Sequence, residues 1–330
     1  MNRDALWAEL ELADAPAEGL VERRLPASGS CELYVAVRKP GNGRRVIARV
    51  RGSNLSLVVL PPQSRGITIE ATNSEGVQGV ELALSDRSFA SVFDVLVDDL
   101  EQTLVIPSTA QQALDRLLGR LRIWQQFFAA ADPGGLSYET LRGLFGELWF
   151  LKEHLLGLLG PERAVAGWTG SAATDQDFQL AGCAVEVKTT GTKQPQRLRI
   201  ASERQLDAPG IALIVCHVSV DVRDGAGQTV PALVGELRAL LPSPSMTAAT
   251  FEDKVMAYGY LDVQADRYAT SGFTVRESNL FEVSQGFPRI TETDLRTGVG
   301  DVRYSVLVDT LRPFAVPASR LRDLLKDLRD

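Results

Sequence analysis

The sequence predicts an α/β core flanked by β-rich N-terminal and C-terminal regions, and three observations carry that expectation. Short strand-like runs recur through the first hundred or so residues. Apolar residues then recur at helical spacing between Thr109 and Leu159. Further on, Ile211–Val220 is a nearly continuous apolar run, the mark of a strand covered on both faces. A chain of 330 residues is expected to form two or three compact units. We place them at 1–105 (β-rich N-terminal domain), 106–245 (core) and 246–330 (β-rich C-terminal extension packed on the core).

In the first region, Glu32–Arg38 and Arg45–Arg51 flank Pro40-Gly-Asn-Gly-Arg44, a hairpin signal. Leu55–Leu60, Gly66–Ala71 and Gly79–Leu84 continue the rhythm of short strands, and Ser88–Gln102 reads as a helix. Nothing here carries chemistry, so binding or scaffolding is the expected role. Ser108 caps a helix from Thr109 to Ala131, with Leu114, Leu117, Leu118, Leu121, Trp124, Phe127 and Phe128 as its apolar positions. Asp132-Pro-Gly-Gly135 ends it.

The next helix runs from Ser137 to Leu159 and is closed by Gly160-Pro161. Gly143 and Gly146 lower its helix propensity and signal close approach of another backbone. Glu147 lies three residues after Leu144 and four before Leu151, at or near the apolar stripe. A carboxylate turned toward a core needs a partner, and a metal or a lysine can supply it. The alternative is a glutamate snorkelling at the stripe's edge. Beyond the core run, Pro231–Leu241 and Thr247–Tyr258 read as helices around the linker Pro242-Ser-Pro-Ser245. Short strands follow, and then an amphipathic Ala318–Leu328.

Composition bounds the chemistry. Hydrophobic residues make up 45% and charged residues 23%, as in ordinary globular proteins. There is no apolar run of membrane-spanning length, and Asp4, Glu9, Glu11 and Asp14 argue against a signal peptide. The expectation is a cytoplasmic protein without membrane association. Cys31, Cys183 and Cys216 are widely spaced, which fits a reducing compartment and not a disulfide framework or zinc site. With only His154 and His217, a multi-histidine metal centre is excluded; His217, inside the apolar run, reads as a core residue.

The net charge of −7 counts against a protein that coats nucleic acid. Between Lys188 and Gln205, however, Lys188, Lys193, Arg197, Arg199 and Arg204 face the single acid Glu203. A phosphate backbone would lie along such a stretch; a solvated mixed-charge loop is the alternative.

The most informative stretch is Thr174-Asp-Gln-Asp-Phe-Gln-Leu-Ala-Gly-Cys-Ala-Val-Glu-Val-Lys188. Two short apolar runs form a hairpin with Ala181-Gly182 as its turn. Glu186 and Lys188, two apart on a strand, leave the same face. Two carboxylates and an ammonium brought together suit metal-assisted phosphodiester cleavage. The carboxylates hold a hard cation, and the lysine steadies or activates the attacking water. Asp175 shares the strand parity of Asp177 and competes with it for the ligand role; Asp177, followed by apolar Phe178, is preferred.

A helix carrying Gly-Glu-Leu-Trp-Phe-Leu151, then Asp-Phe178 on one strand and Glu-Val-Lys188 on the next, resembles the PD-(D/E)xK nuclease superfamily. More narrowly, the chain is similar to a PD-(D/E)xK family of bacterial restriction and phage-defence gene neighbourhoods. The likeness covers about Leu141 to Val220 and extends loosely through Asn279–Val283, Gly286–Ile290 and Val302–Tyr304.

The resemblance implies a restriction-endonuclease-like core, a mixed central sheet flanked by helices, and an endodeoxyribonuclease dependent on Mg²⁺, with Mn²⁺ able to substitute. It implies Asp177, Glu186 and Val187 at the metal, and Lys188, Glu147 and Gln205 as catalytic residues. Thr189, Thr190, Lys193, Arg197 and Arg199 are the implied contacts to DNA. Other readings of some residues stay open: Thr189 and Thr190 as β-branched strand formers, and Gln205 as an exposed residue beside a capping Ser202. Gln176 stands where the superfamily's proline often does.

Two competing expectations belong to other classes. One is a catalytically silent nuclease-fold subunit of a defence complex, partnered by a helicase, ATPase or methyltransferase. The other is an unrelated β-rich interaction protein in which the motif is coincidence.

Overall fold

The computed structural model describes residues 3–14, 18–27, 29–51, 66–74, 77–106, 109–130, 132, 134–170, 174–191 and 194–326. The expected strand Leu55–Leu60, the cap Ser108 and the basic residue Lys193 lie outside them. The chain forms two compact units, Met1–Gly134 and Gly135–Asp330. This division does not coincide with the expected boundaries at 105/106 and 245/246.

The first unit opens with α1 (Arg3–Leu12), followed by β1 (Gly19–Leu25), β2 (Cys31–Lys39), β3 (Gly43–Arg51), β4 (Ile67–Ser74) and β5 (Val77–Leu84). The strands form one antiparallel sheet in the order β1-β2-β3-β5-β4. The β2–β3 hairpin turns where the sequence signalled it, with Gly41 at φ 99° and Asn42 at φ 54° in the left-handed region. Then come α2 (Ala90–Leu104) and α3 (Ala110–Ala130). Helix α3 buries Leu114, Leu117, Leu121, Trp124, Phe127 and Phe128 within this unit and not in the core that follows. The charged residues of the sheet pair with one another, as Arg49 does with Glu22 at 2.8 Å.

The second unit begins with α4 (Tyr138–Phe150), capped by the Ser137 hydroxyl, which accepts from the Thr140 amide at 3.1 Å. A π-helical turn over Leu151–Leu156 leads into α5 (Gly157–Gly167). The stop expected at Gly160-Pro161 is a kink. Gly160 takes φ 76°, and the helix resumes through Pro161 to Gly167, because proline is tolerated in a first helical turn.

After α5 come β6 (Phe178–Leu180), β7 (Cys183–Thr190), β8 (Arg197–Ile200), β9 (Ala212–Asp224), α6 (Val230–Leu240) and α7 (Met246–Tyr258). The unit closes with β10 (Ser271–Glu282), β11 (Tyr304–Leu307), β12 (Ala315–Val316) and α8 (Ala318–Lys326). The central sheet has the order β12-β10-β9-β7-β6, with β7 and β9 parallel and the other pairs antiparallel. Strand β10 pairs with β9 along nearly its whole length. It is therefore an inner strand of the central sheet and not one of several short strands in an extension.

The two faces of this sheet are covered differently. Cys183, Val185 and Val187 of β7 and Ile214, Cys216 and Val218 of β9 pack with Leu144, Leu148, Val234 and Phe251 of the helices. On the other face, Val215 and Phe281 pack with Leu198, Ile200 and Val306 of the small β8–β11 sheet. Strand alternation puts Glu186 and Lys188 on this second face. Among the described residues, no helix is long and apolar enough to cross a membrane.

Candidate active site

The site grows out of the β6–β7 hairpin. Gly182, at φ 92°, supplies the left-handed residue of the turn. Phe178 pairs with Val185, and the register continued by one step sets Asp177 opposite Glu186. Asp177 Oδ2 accepts from the Val187 amide at 2.7 Å, which fixes the carboxylate against the edge of β7. A strand residue's N–H and C=O leave along the same edge, so the Val187 carbonyl lies there too.

Lys188 Nζ is 2.6 Å from Glu186 Oε1 and donates to Gln205 Oε1 at 3.0 Å. The same Gln205 oxygen accepts from the Ala201 amide at 2.8 Å. Gln205 lies in a turn, not on a helix, and is half-buried; the link to Lys188 brings it into the site. Glu186 is 1% exposed, and its Oε2 has no hydrogen-bond partner among the described residues.

Glu147 of α4 is buried, as its place in the apolar stripe implied. Both of its oxygens are occupied. Oε2 accepts from Trp168 Nε1 at 2.8 Å and Oε1 from the Tyr258 hydroxyl at 2.7 Å. A Cβ at residue 170 would come 1.9 Å from Glu147 Oε2, so Gly170 leaves the carboxylate its room.

These acids share one electrostatic neighbourhood. Burial, then the charge of Asp177, pushes the Glu147 carboxyl well above its ordinary range. Burial also raises Asp177, against the opposing pull of Lys188 and the Val187 amide. Glu186 rises to about 8 through burial and Asp177, with Lys188 opposing. For Lys188, burial disfavours the charge, but Glu186 and Asp177 outweigh it and hold the ammonium above its ordinary value. Clustered buried carboxyls that resist ionisation are what a bound cation would relieve.

Among the described residues, no three His, Cys, Asp or Glu side chains gather into a ready-made metal cage. The donor set still fits Mg²⁺, which is held through one or two carboxylates and keeps several waters. Asp177 and Glu186 are the carboxylates that would hold it, and the buried Glu186 Oε2 has no hydrogen-bond partner among the described residues.

The remaining candidates separate. Asp175 is exposed on the surface, where its charge is felt by Arg204; Asp177 is the residue turned to Glu186 and Lys188. Thr190 is buried, with its hydroxyl 2.9 Å from His217 Nε2, and Thr189 places its hydroxyl against Gly146 of α4. Both residues also border the cavity beside Lys188. Arg197 and Arg199 share the exposed face of β8, and Arg199 pairs with Glu139 at 3.0 Å. His217 is fully buried, as expected, and burial pushes its imidazole down to about 4. Its Nδ1 has no hydrogen-bond partner among the described residues.

Sequence reasoning missed Trp168 and Tyr258, which hold Glu147, and Arg142, which lines the cavity beside Lys188. Tyr258 had no local signal, being 111 residues from its partner. Trp168 could have been suspected as a large donor between the helix and the motif.

No curated protein and no solved structure matches the chain. Residues 3–309 match the family described as "Putative PD-(D/E)XK family member" (DUF4420), a span that holds every residue of the site. The chain belongs to that family.

Proposed function

We propose that this protein is a Mg²⁺-dependent nuclease that hydrolyses DNA phosphodiester bonds in a bacterial restriction or phage-defence system, on a restriction-endonuclease-like core. Mn²⁺ would substitute for Mg²⁺. Family membership supports the nuclease class. The observation that carries the proposal is the buried Lys188–Glu186 pair beside Asp177, with Glu186 Oε2 left unpartnered.

Asp177 and Glu186 would hold the ion, and the Val187 carbonyl lies on the same strand edge. Such an ion supplies a more acidic water and a polarised phosphoryl oxygen. Lys188 is anchored by Gln205 and Glu186, so its ammonium is set beside the reacting phosphate before charge develops there. Glu147, fixed by Trp168 and Tyr258, keeps a third acid near the pair without mobility of its own.

A second reading is a catalytically silent nuclease-fold subunit that binds nucleic acid or assembles with a helicase, ATPase or methyltransferase. The acidic net charge and a first unit without evident chemistry favour it. Incubation of plasmid and linear DNA with Mg²⁺ or Mn²⁺, wild type beside Lys188→Ala, separates the two. Cutting by wild type alone supports the enzyme. No cutting by either protein supports the silent subunit.

A further inference from the structure

A cavity of about 600 Å³ opens beside the site, lined by Lys188 and Gly191 at the end of β7, Arg142 of α4, and Arg197 and Arg199 of β8. Three elements thus aim cations into one space next to the reacting lysine. These cations are not equivalent. Arg199 shares its charge with Glu139. Lys188 is held by Glu186. Among the described residues, Arg142 and Arg197 are in no ion pair, and the contact recorded for the Arg142 guanidinium is the Tyr138 ring, 5.6 Å from its centroid.

Arg142 is half-buried, which limits its rotamers and points it at the cavity. A Cβ on residue 191 would stand 3.4 Å from its Nη1, so the guanidinium lies against the chain at the end of β7. A half-buried guanidinium beside an aromatic ring and outside any ion pair keeps its charge available to an anion in the cavity. Arg presents a planar fork of donors that matches phosphate oxygens.

We infer that Arg142 and Arg197 form a two-sided phosphate clamp. It grips the nucleic-acid backbone adjacent to the bond presented to Lys188, with Arg142 as the inner jaw. The inference rests on the nuclease reading only in taking a nucleic acid as the ligand. It adds α4, a helix outside the basic segment of the sequence, to the binding surface. The clamp contacts phosphate and not base edges, so it positions the strand without selecting sequence.

The test is binding of fluorescently labelled DNA duplex, and RNA of the same sequence, to the full chain in EDTA across a salt series. Arg142→Ala and Arg197→Ala should each weaken binding on unrelated sequences alike and reduce the salt slope by about 1. Arg142→Lys should recover part of the affinity, since it restores the charge but not the fork. Arg223→Ala, which removes an exposed arginine paired with Asp221, is the charge control and should change neither quantity. In cleavage, Arg142→Ala should raise KM more than it lowers kcat, as loss of uniform binding does.

Unchanged affinity and slope in Arg142→Ala, with thermal stability intact, would overturn the clamp. So would a wild type that binds neither nucleic acid. Wild-type binding without cutting would sink the nuclease reading and leave the clamp standing. Cutting with an unaffected Arg142→Ala would do the reverse.

Discussion

Lys188 and Glu186, two residues apart on β7, form a buried ion pair with Nζ 2.6 Å from Oε1, and Gln205 ties the same ammonium from the other side. The pair is unequal, because Glu186 is almost wholly enclosed while Lys188 reaches the cavity. Lys188→Ala should abolish cleavage while the fold persists. Its stability cost should grow with pH. At about pH 6 Glu186 is protonated with or without the lysine, whereas at about pH 9 Lys188 is no longer there to offset the burial that disfavours the carboxyl's ionised form. Thermal melts at the two pH values check this; an equal loss at both would show that the pair does not govern the ionisation of Glu186.

Metal binding should be linked to the same carboxyl. Glu186 has its pKa raised from 4.5 to about 8, so the folded state favours the protonated acid. An acid raised in the folded state weakens stability as pH climbs from the unfolded value toward the folded one. The metal-free protein should therefore lose melting temperature across that window, and added Mg²⁺ should restore more of it at the upper end. Mg²⁺ affinity should rise by up to about tenfold per pH unit below pH 8 and level off above it. Isothermal titration calorimetry in buffers of different ionisation enthalpy measures the released proton. Affinity independent of pH would mean that Glu186 is not a ligand.

The parts of this arrangement visible in the sequence are those encoded locally. The Glu186–Lys188 spacing, the Gly182 turn and the apolar stripe that carries Glu147 all follow from short-range periodicity. The long apolar run likewise marked β9 as an inner strand. What was not legible depends on contacts across the chain. Strand β10 enters the sheet between β9 and β12 with exposed residues at Thr274, Arg276, Glu277 and Ser278, so it shows no long hydrophobic pattern. Strand β1 is an edge strand with little buried surface and reads as loop for the same reason. The contact of Thr189 with Gly146 of α4 likewise depends on packing between distant segments and has no local signal.

Tyr258 and Trp168 should prove as important to Glu147 as any neighbour in sequence. Tyr258→Phe removes the donor to Glu147 Oε1 and leaves a buried oxygen unsatisfied, at a cost of about 1–3 kcal/mol. Trp168→Phe does the same to Oε2 and also removes packing against Phe251, so Tyr258→Phe is the cleaner test. Urea denaturation should show the loss. Replacing Glu147 with Gln should reduce the effect of Tyr258→Phe, because an amide has one accepting oxygen where the carboxyl offers two. Additive effects in the double variant would break the coupling inferred here.

The close approach signalled by glycine in α4 turns out to be to a side chain. A Cβ on residue 146 would lie 1.8 Å from Thr189 Oγ1 and 3.1 Å from its Cβ, so α4 rests on β7 through the absence of a methyl group. Gly146→Ala gains helix propensity but forces the helix off the strand that bears Glu186 and Lys188, and overpacking of this kind costs about 1–3 kcal/mol. Thr189→Ala removes a hydroxyl that is buried without a hydrogen-bond partner among the described residues, so alone it should cost little. Together the two substitutions should recover most of the stability lost by Gly146→Ala, because the colliding oxygen is gone. A denaturation cycle over the four proteins measures that coupling. If the double variant is no more stable than Gly146→Ala, the helix is held off β7 by something other than Thr189.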